Sequence, residues 1–96
     1  MPKFNYLTFV VCKLETDKKY LFYAPPFTSF KEEEIIIVNT KYGEKPATVV
    51  TYCMAESGSD TEKALRTLCK AKGKLQKVLG RFRYVTFEYE GEDDDE

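Results

Sequence analysis

The stretch from Glu34 to Cys53 constrains the fold more than any other part of the chain. Two apolar, β-branched runs, Ile35 to Val38 and Ala47 to Tyr52, flank a polar segment, Asn39 to Pro46, centred on Gly43. β-branched residues suit a pleated surface, and a glycine between two such runs supplies the positive φ of a tight turn. The pattern predicts a β-hairpin at the middle of a small antiparallel sheet, with its turn over Tyr42 to Lys45. Pro46 then opens the second strand, where a missing backbone donor is tolerated. Along that strand Ala47, Val49, Thr51 and Cys53 should alternate with Thr48, Val50, Tyr52 and Met54. Ile35 to Val38 is apolar on both faces, which asks for a central position.

A chain of 96 residues with 43% hydrophobic and 15% aromatic residues can pack one core, so a single domain over 1–90 is expected. No apolar run approaches the roughly 20 residues that cross a bilayer, and the first residues lack a basic-then-apolar leader. No membrane partner is expected. The three cysteines, Cys12, Cys53 and Cys69, are an odd number and widely spaced, which favours buried thiols in a reducing, cytoplasmic setting over a disulfide framework. Histidine is absent. That removes Ser–His–Asp and Cys–His nucleophile systems and every imidazole-bearing zinc site. With no Cys-x-x-Cys pair and no glycine-rich phosphate loop either, neither cofactor nor metal is expected, and the chain reads as a non-enzyme.

Phe4 to Lys13 reads as a long first strand, with Leu7, Phe9 and Val11 on one face and Tyr6, Val10 and Cys12 on the other. Apolar residues on both faces place it inside a barrel or between two layers. A polar turn at Glu15 to Lys18 leads to a second strand, Tyr20 to Ala24, which Pro25-Pro26 ends. Phe27 and Phe30 sit in an irregular loop, where they either cover the core or line a binding surface. Glu32, Glu33 and Glu34 act as solvated gatekeepers before the next strand. Ser59-Asp-Thr-Glu62 matches a capping box and predicts a helix over about 60–72, ended near Gly73. Its apolar stripe is Ala64, Leu65, Leu68 and Cys69, so Leu68→Asp is expected to unfold the protein. Leu75 to Leu79 fits either helix or strand, with Gly73 and Gly80 favouring strand. Arg81 to Glu90 alternates cleanly and predicts one long last strand. Residues 91–96 form an acidic tail whose composition is that of disorder.

The charges are segregated. Lys63, Arg66, Lys70, Lys72, Lys74, Lys77, Arg81 and Arg83 lie in a run with no acid, and the seven acids from Glu88 to Glu96 follow with no base. The run is either a solvated face, a stripe for a phosphate backbone with Phe82 and Tyr84 interleaved for base stacking, or a surface for an acidic protein.

The central pattern, two acids followed by Ile-Ile-Ile-Val-Asn-Thr-Lys-Tyr-Gly-Glu-Lys-Pro-Ala-Thr-Val-Val, resembles the middle of small SH3-like barrels. It looks most like short uncharacterised proteins of phages and prophages of low-GC Gram-positive bacteria, with Lys77-Val-Leu-Gly80 as their short late strand. A similar barrel forms the N-terminal DNA-binding domain of the primosomal helicase. Glu33-Glu34 replaces the Gly-Asp usual before the third strand, and the 60–72 helix is an added element. The resemblance implies fold and a mobile-element origin, and no binding residue is carried over from it.

The expected fold is therefore α+β: an SH3-like small barrel or strongly bent antiparallel sheet of five or six strands with one covering helix. The expected function is a binding or adaptor module for a protein partner, with a nucleic-acid-binding barrel using the 63–83 segment as the alternative. An exposed sheet edge would offer a route to a homodimer.

Overall fold

A computed structural model describes residues 5–82, 85–87 and 89. It is an α+β fold in which six strands form one antiparallel sheet in the order β2-β1-β4-β3-β5-β6, covered by a helix, α1. The strands are β1 (Tyr6–Lys13), β2 (Lys19–Ala24), β3 (Ile35–Thr40), β4 (Gly43–Glu56), β5 (Val78–Arg81) and β6 (Val85–Thr86), and α1 spans Asp60–Cys69. The sheet bends until the outer edge of β2 meets the segment entering β5. There the Tyr23 amide donates to the Gln76 carbonyl at 3.1 Å and Tyr23 bridges Lys77 in parallel.

β1 is buried on both faces because the bent sheet has two cores. Val10 and Cys12 point into the curl with Phe22, Ile36, Val38, Ala47, Val49 and Val78. Phe9 and Val11 point to the helix side with Leu21, Ala55 and Cys69. Phe9, Val10 and Val11 are wholly buried, each contributing about 1.5–3 kcal/mol, which makes β1 the spine of the domain.

β4 departs from simple alternation. Val11 pairs with Thr51 while Cys12 pairs with Val49, so Val50 is an extra residue, a β-bulge that reverses which side chains face the curl. Ala47 and Val49 therefore share a face with Tyr52 and Met54, while Thr51, Cys53 and Ala55 face the helix side. Tyr52, itself 37% exposed, packs edge-on against buried Phe30 at 5.3 Å. The β3–β4 turn is also one step earlier than expected. Thr40 pairs with Gly43, leaving a two-residue loop, Lys41-Tyr42. Gly43, at φ 103°, closes this turn and begins the strand.

The helix start follows the capping box with one change. Ser59 Oγ accepts from the Glu62 amide at 3.4 Å, but Glu62 Oε1 accepts from the Gly58 amide at 2.6 Å. The Ser59 amide is already donated to the Glu56 carbonyl, so Glu62 reaches one residue further back. The helix ends at Cys69, short of 72, because Lys70 turns left-handed at φ 55° and the Ala71 amide bonds to the Arg66 carbonyl. Its docked face is also rotated from the expected stripe. Glu62 and Cys69 are buried and Leu65 is half-buried, whereas Ala64 is exposed and Leu68 is 57% exposed.

The expected single strand from Arg81 to Glu90 is not formed. Arg81 closes β5, Phe82 lies in a turn, and Val85–Thr86 fold back to pair with Gly80 and Arg81. A period-two pattern runs through this reversal without marking it. Residues 83, 84, 88 and 90, and the acidic tail at 91–96, lie outside the described residues. The ambiguous 75–79 segment enters β5 at Val78 as strand. The loop aromatics divide. Phe30 is buried and packs edge-on against Tyr52 and Phe87. Phe27 is 83% exposed on a left-handed residue at φ 66°.

Candidate ligand site between the hairpin turns

Pairing of β1 with β4 puts the β1–β2 and β3–β4 turns at one end of the sheet. Of the strands here, β4 reaches further than β1. β1 ends opposite Thr48, so Gly43 to Ala47 of β4 has β3 alone beside it. Between the two turns lies a cavity of about 800 Å³. Leu14, Tyr20, Phe22 and Ala47 form its apolar floor, and Lys18, Lys41, Tyr42 and Lys45 stand around it, with Glu15 as the one acid among the described residues that line it.

The rim is held in place locally. Thr40 Oγ1 donates to the Gly43 carbonyl at 2.8 Å and accepts from the Tyr42 amide at 3.1 Å, which fixes the two-residue loop that presents Tyr42. Tyr42 is 77% exposed. A lysine ammonium lies over each tyrosine ring, Lys41 over Tyr42 and Lys18 over Tyr20, both at 5.3 Å from the centroid. The mouth therefore offers aromatic faces next to positive charges, with Thr16, Asn39 and Thr48 as hydrogen-bonding groups.

The basic residues singled out in the sequence are not one surface. Lys63, Lys70, Lys72 and Lys74 are exposed on the helix and the segment after it. Arg66 is tied to Glu62 Oε2 at 2.7 Å and donates to the Gly73 carbonyl at 2.7 Å. Arg81 donates to Glu34 Oε2 at 2.6 Å and to the Ser29 carbonyl at 2.7 Å, with its guanidinium over Phe30 at 5.0 Å and Phe87 at 5.4 Å. Lys77 lies over the Tyr89 ring at 4.6 Å, and Arg83 is outside the described residues. Arg66, Arg81 and Lys77 thus serve packing. Glu34, read as a solvated gatekeeper, is an ion-pair partner. Burial would raise its carboxyl, but the hydrogen bonds and charge of Arg81 and the Lys31 amide outweigh that and hold it below the ordinary value. Glu62 is likewise lowered, burial being outweighed by the Gly58 amide and Arg66.

The sequence does carry a trace of the mouth. Lys18-Lys19-Tyr20 and Lys41-Tyr42 set lysine beside tyrosine in both turns, and the β1–β4 pairing brings the two together. Cys12 is wholly buried, and burial, with a smaller push from Cys69, drives its thiol up to about 12. Burial also raises the Cys69 thiol, partly offset by Lys19. Among the described residues no group of acids and cysteines has the arrangement of a metal site, and no helix is long and apolar enough to cross a membrane. No protein-family model, curated protein or solved structure matches the chain.

Proposed function

We propose that this chain is a non-enzymatic binding module that holds an anionic partner in the mouth between its two hairpin turns. The observation that carries this reading is the rim of Lys18, Lys41 and Lys45 over an aromatic floor, around a cavity of ligand-site size. Cations beside low-dielectric walls focus the field on what enters. The run from Lys63 to Arg83 is the weaker candidate, because Arg66 and Arg81 already hold carboxylates. A non-enzymatic role is supported by the protonated, buried state of Cys12 and by the ion-pairing of Glu34 and Glu62, which leaves these groups poorly suited to nucleophilic or acid–base work. A mobile-element origin has the support of the resemblance alone, over residues 4–54 and more loosely over 75–80. Edge-to-edge dimerisation through β2 is opposed by Lys19 on that edge.

The test is calorimetric titration with inorganic polyphosphate at low salt. Changing Lys18, Lys41 and Lys45 together to Glu should weaken binding about tenfold or more, while changing Lys63, Lys70 and Lys72 to Glu should leave it within about threefold. Loss with the helix set and retention with the mouth set would refute the assignment.

A further inference from the structure

We infer that the anionic partner is a single-stranded nucleic acid, an inference that rests on the binding reading above. Lysines alone would serve any polyanion. What selects the strand is that each turn pairs a lysine with a tyrosine ring at 5.3 Å, and that the ring at the tip, Tyr42, is 77% exposed on a loop fixed by the Thr40 hydroxyl. A base stacked on Tyr42 would cover that face and free the Lys41 ammonium for the adjoining phosphate. A second base can reach Tyr20, whose ring stands on the floor of the mouth with Lys18 beside it.

A duplex hides its base faces in the stack, and an acidic peptide of Asp and Glu brings no ring. Each would use the lysines and leave the tyrosines idle. A single strand uses both. Its phosphates repeat along the chain, as do the three lysines around the rim, and its unstacked bases supply the planar groups that the apolar floor accepts.

The experiment is fluorescence anisotropy of the full chain with labelled ten-nucleotide dT and rU strands, an equal-length duplex, and polyglutamate as competitor, across 20–200 mM salt. Single strands should bind best, with a log–log salt slope of about −2 for three phosphate contacts. Tyr42→Ala should weaken binding about tenfold or more, and Tyr42→Phe, which keeps the ring, should bind like the parent. Because Tyr42 is at an exposed turn, circular dichroism should show all variants folded. A preference for dT or rU identifies the strand type and supports the inference either way. Full affinity in Tyr42→Ala, or equal binding of duplex and single strand, would overturn the nucleic-acid inference while leaving the anionic reading in place. Failure of the parent protein to bind any of these anions would overturn both.

Discussion

Arg81 sits where a binding residue was expected from sequence, and its substitution separates a structural role from a ligand role. Its guanidinium ties β5 to two other segments: the β2–β3 loop, through Glu34, the Ser29 carbonyl and the Phe30 ring, and Phe87 after β6. The Arg81 and Glu34 side chains are 26% and 18% exposed, so water screens the pair only in part. Charge-assisted hydrogen bonds of this kind contribute about 1.5–3 kcal/mol, and removing Arg81 leaves the Glu34 carboxylate half-buried and uncompensated. Arg81→Met keeps the apolar stem and loses the charge. It should cost about 2–3 kcal/mol, lowering Tm by roughly 10–20 °C for a domain of this size. A double-mutant cycle with Glu34→Gln, followed by thermal circular dichroism, should return a coupling of about 1–2 kcal/mol. A variant melting within about 3 °C of the parent, or a coupling near zero, would refute the structural role and return Arg81 to the list of surface cations.

The helix gives a paired prediction. Leu65→Asp places a charge against the helix-side core of Phe9, Val11, Leu21, Ala55 and Cys69 and should cost about 3 kcal/mol, whereas Leu68→Asp, on the exposed face, should cost about 1 kcal/mol through helix propensity and the dipole; equal losses in urea melts would show that the docked face is misassigned. Stability should also fall in acid. Glu34 and Glu62 have folded-state values below the ordinary 4.5, so their contribution is complete above that value and is lost as pH drops through the lower, folded one. Urea midpoints should therefore be level between about pH 6 and 8 and decline below about pH 4.5, and the decline should shrink in Glu34→Gln; a midpoint unchanged down to about pH 3 would contradict the ion pairs.

Local patterns with a local cause were legible in the sequence. The β-branched runs, the prolines after β2 and the S-x-x-E box each act over a few residues, and each forms the element expected of it. What was hidden depends on register. The bulge at Val50 has no signature of its own, because Thr-Val-Val-Thr alternates equally well in either phase, and only pairing against β1 decides where the extra residue falls. The helix stripe was misread for a related reason. Leu68 is apolar and correctly spaced, but Glu62 takes the docked face by bonding both the Gly58 amide and Arg66, which rotates Leu68 outward. The basic run looked continuous because sequence order ignores that Arg66 and Arg81 find carboxylates, one of them 47 residues away.

Register is also what makes the mouth. Had β1 and β4 been matched in length, the two turns would end level and close over Leu14, Tyr20 and Phe22. Instead β4 runs from Gly43 to Glu56, while β1 meets it only from Thr48 onward. The β3–β4 hairpin therefore overhangs its neighbour by the stretch Gly43 to Ala47, and Pro46, which could not donate to another strand, falls within that overhang. Tyr42 and Lys41 are carried beyond the core by this overhang, while Ala47 still belongs to it. The hairpin that fixes the fold is thus also the element that shapes the candidate site. Its apolar half packs in the core between β1 and β3, while its polar half has β3 alone beside it and is left facing solvent with its charge and its ring.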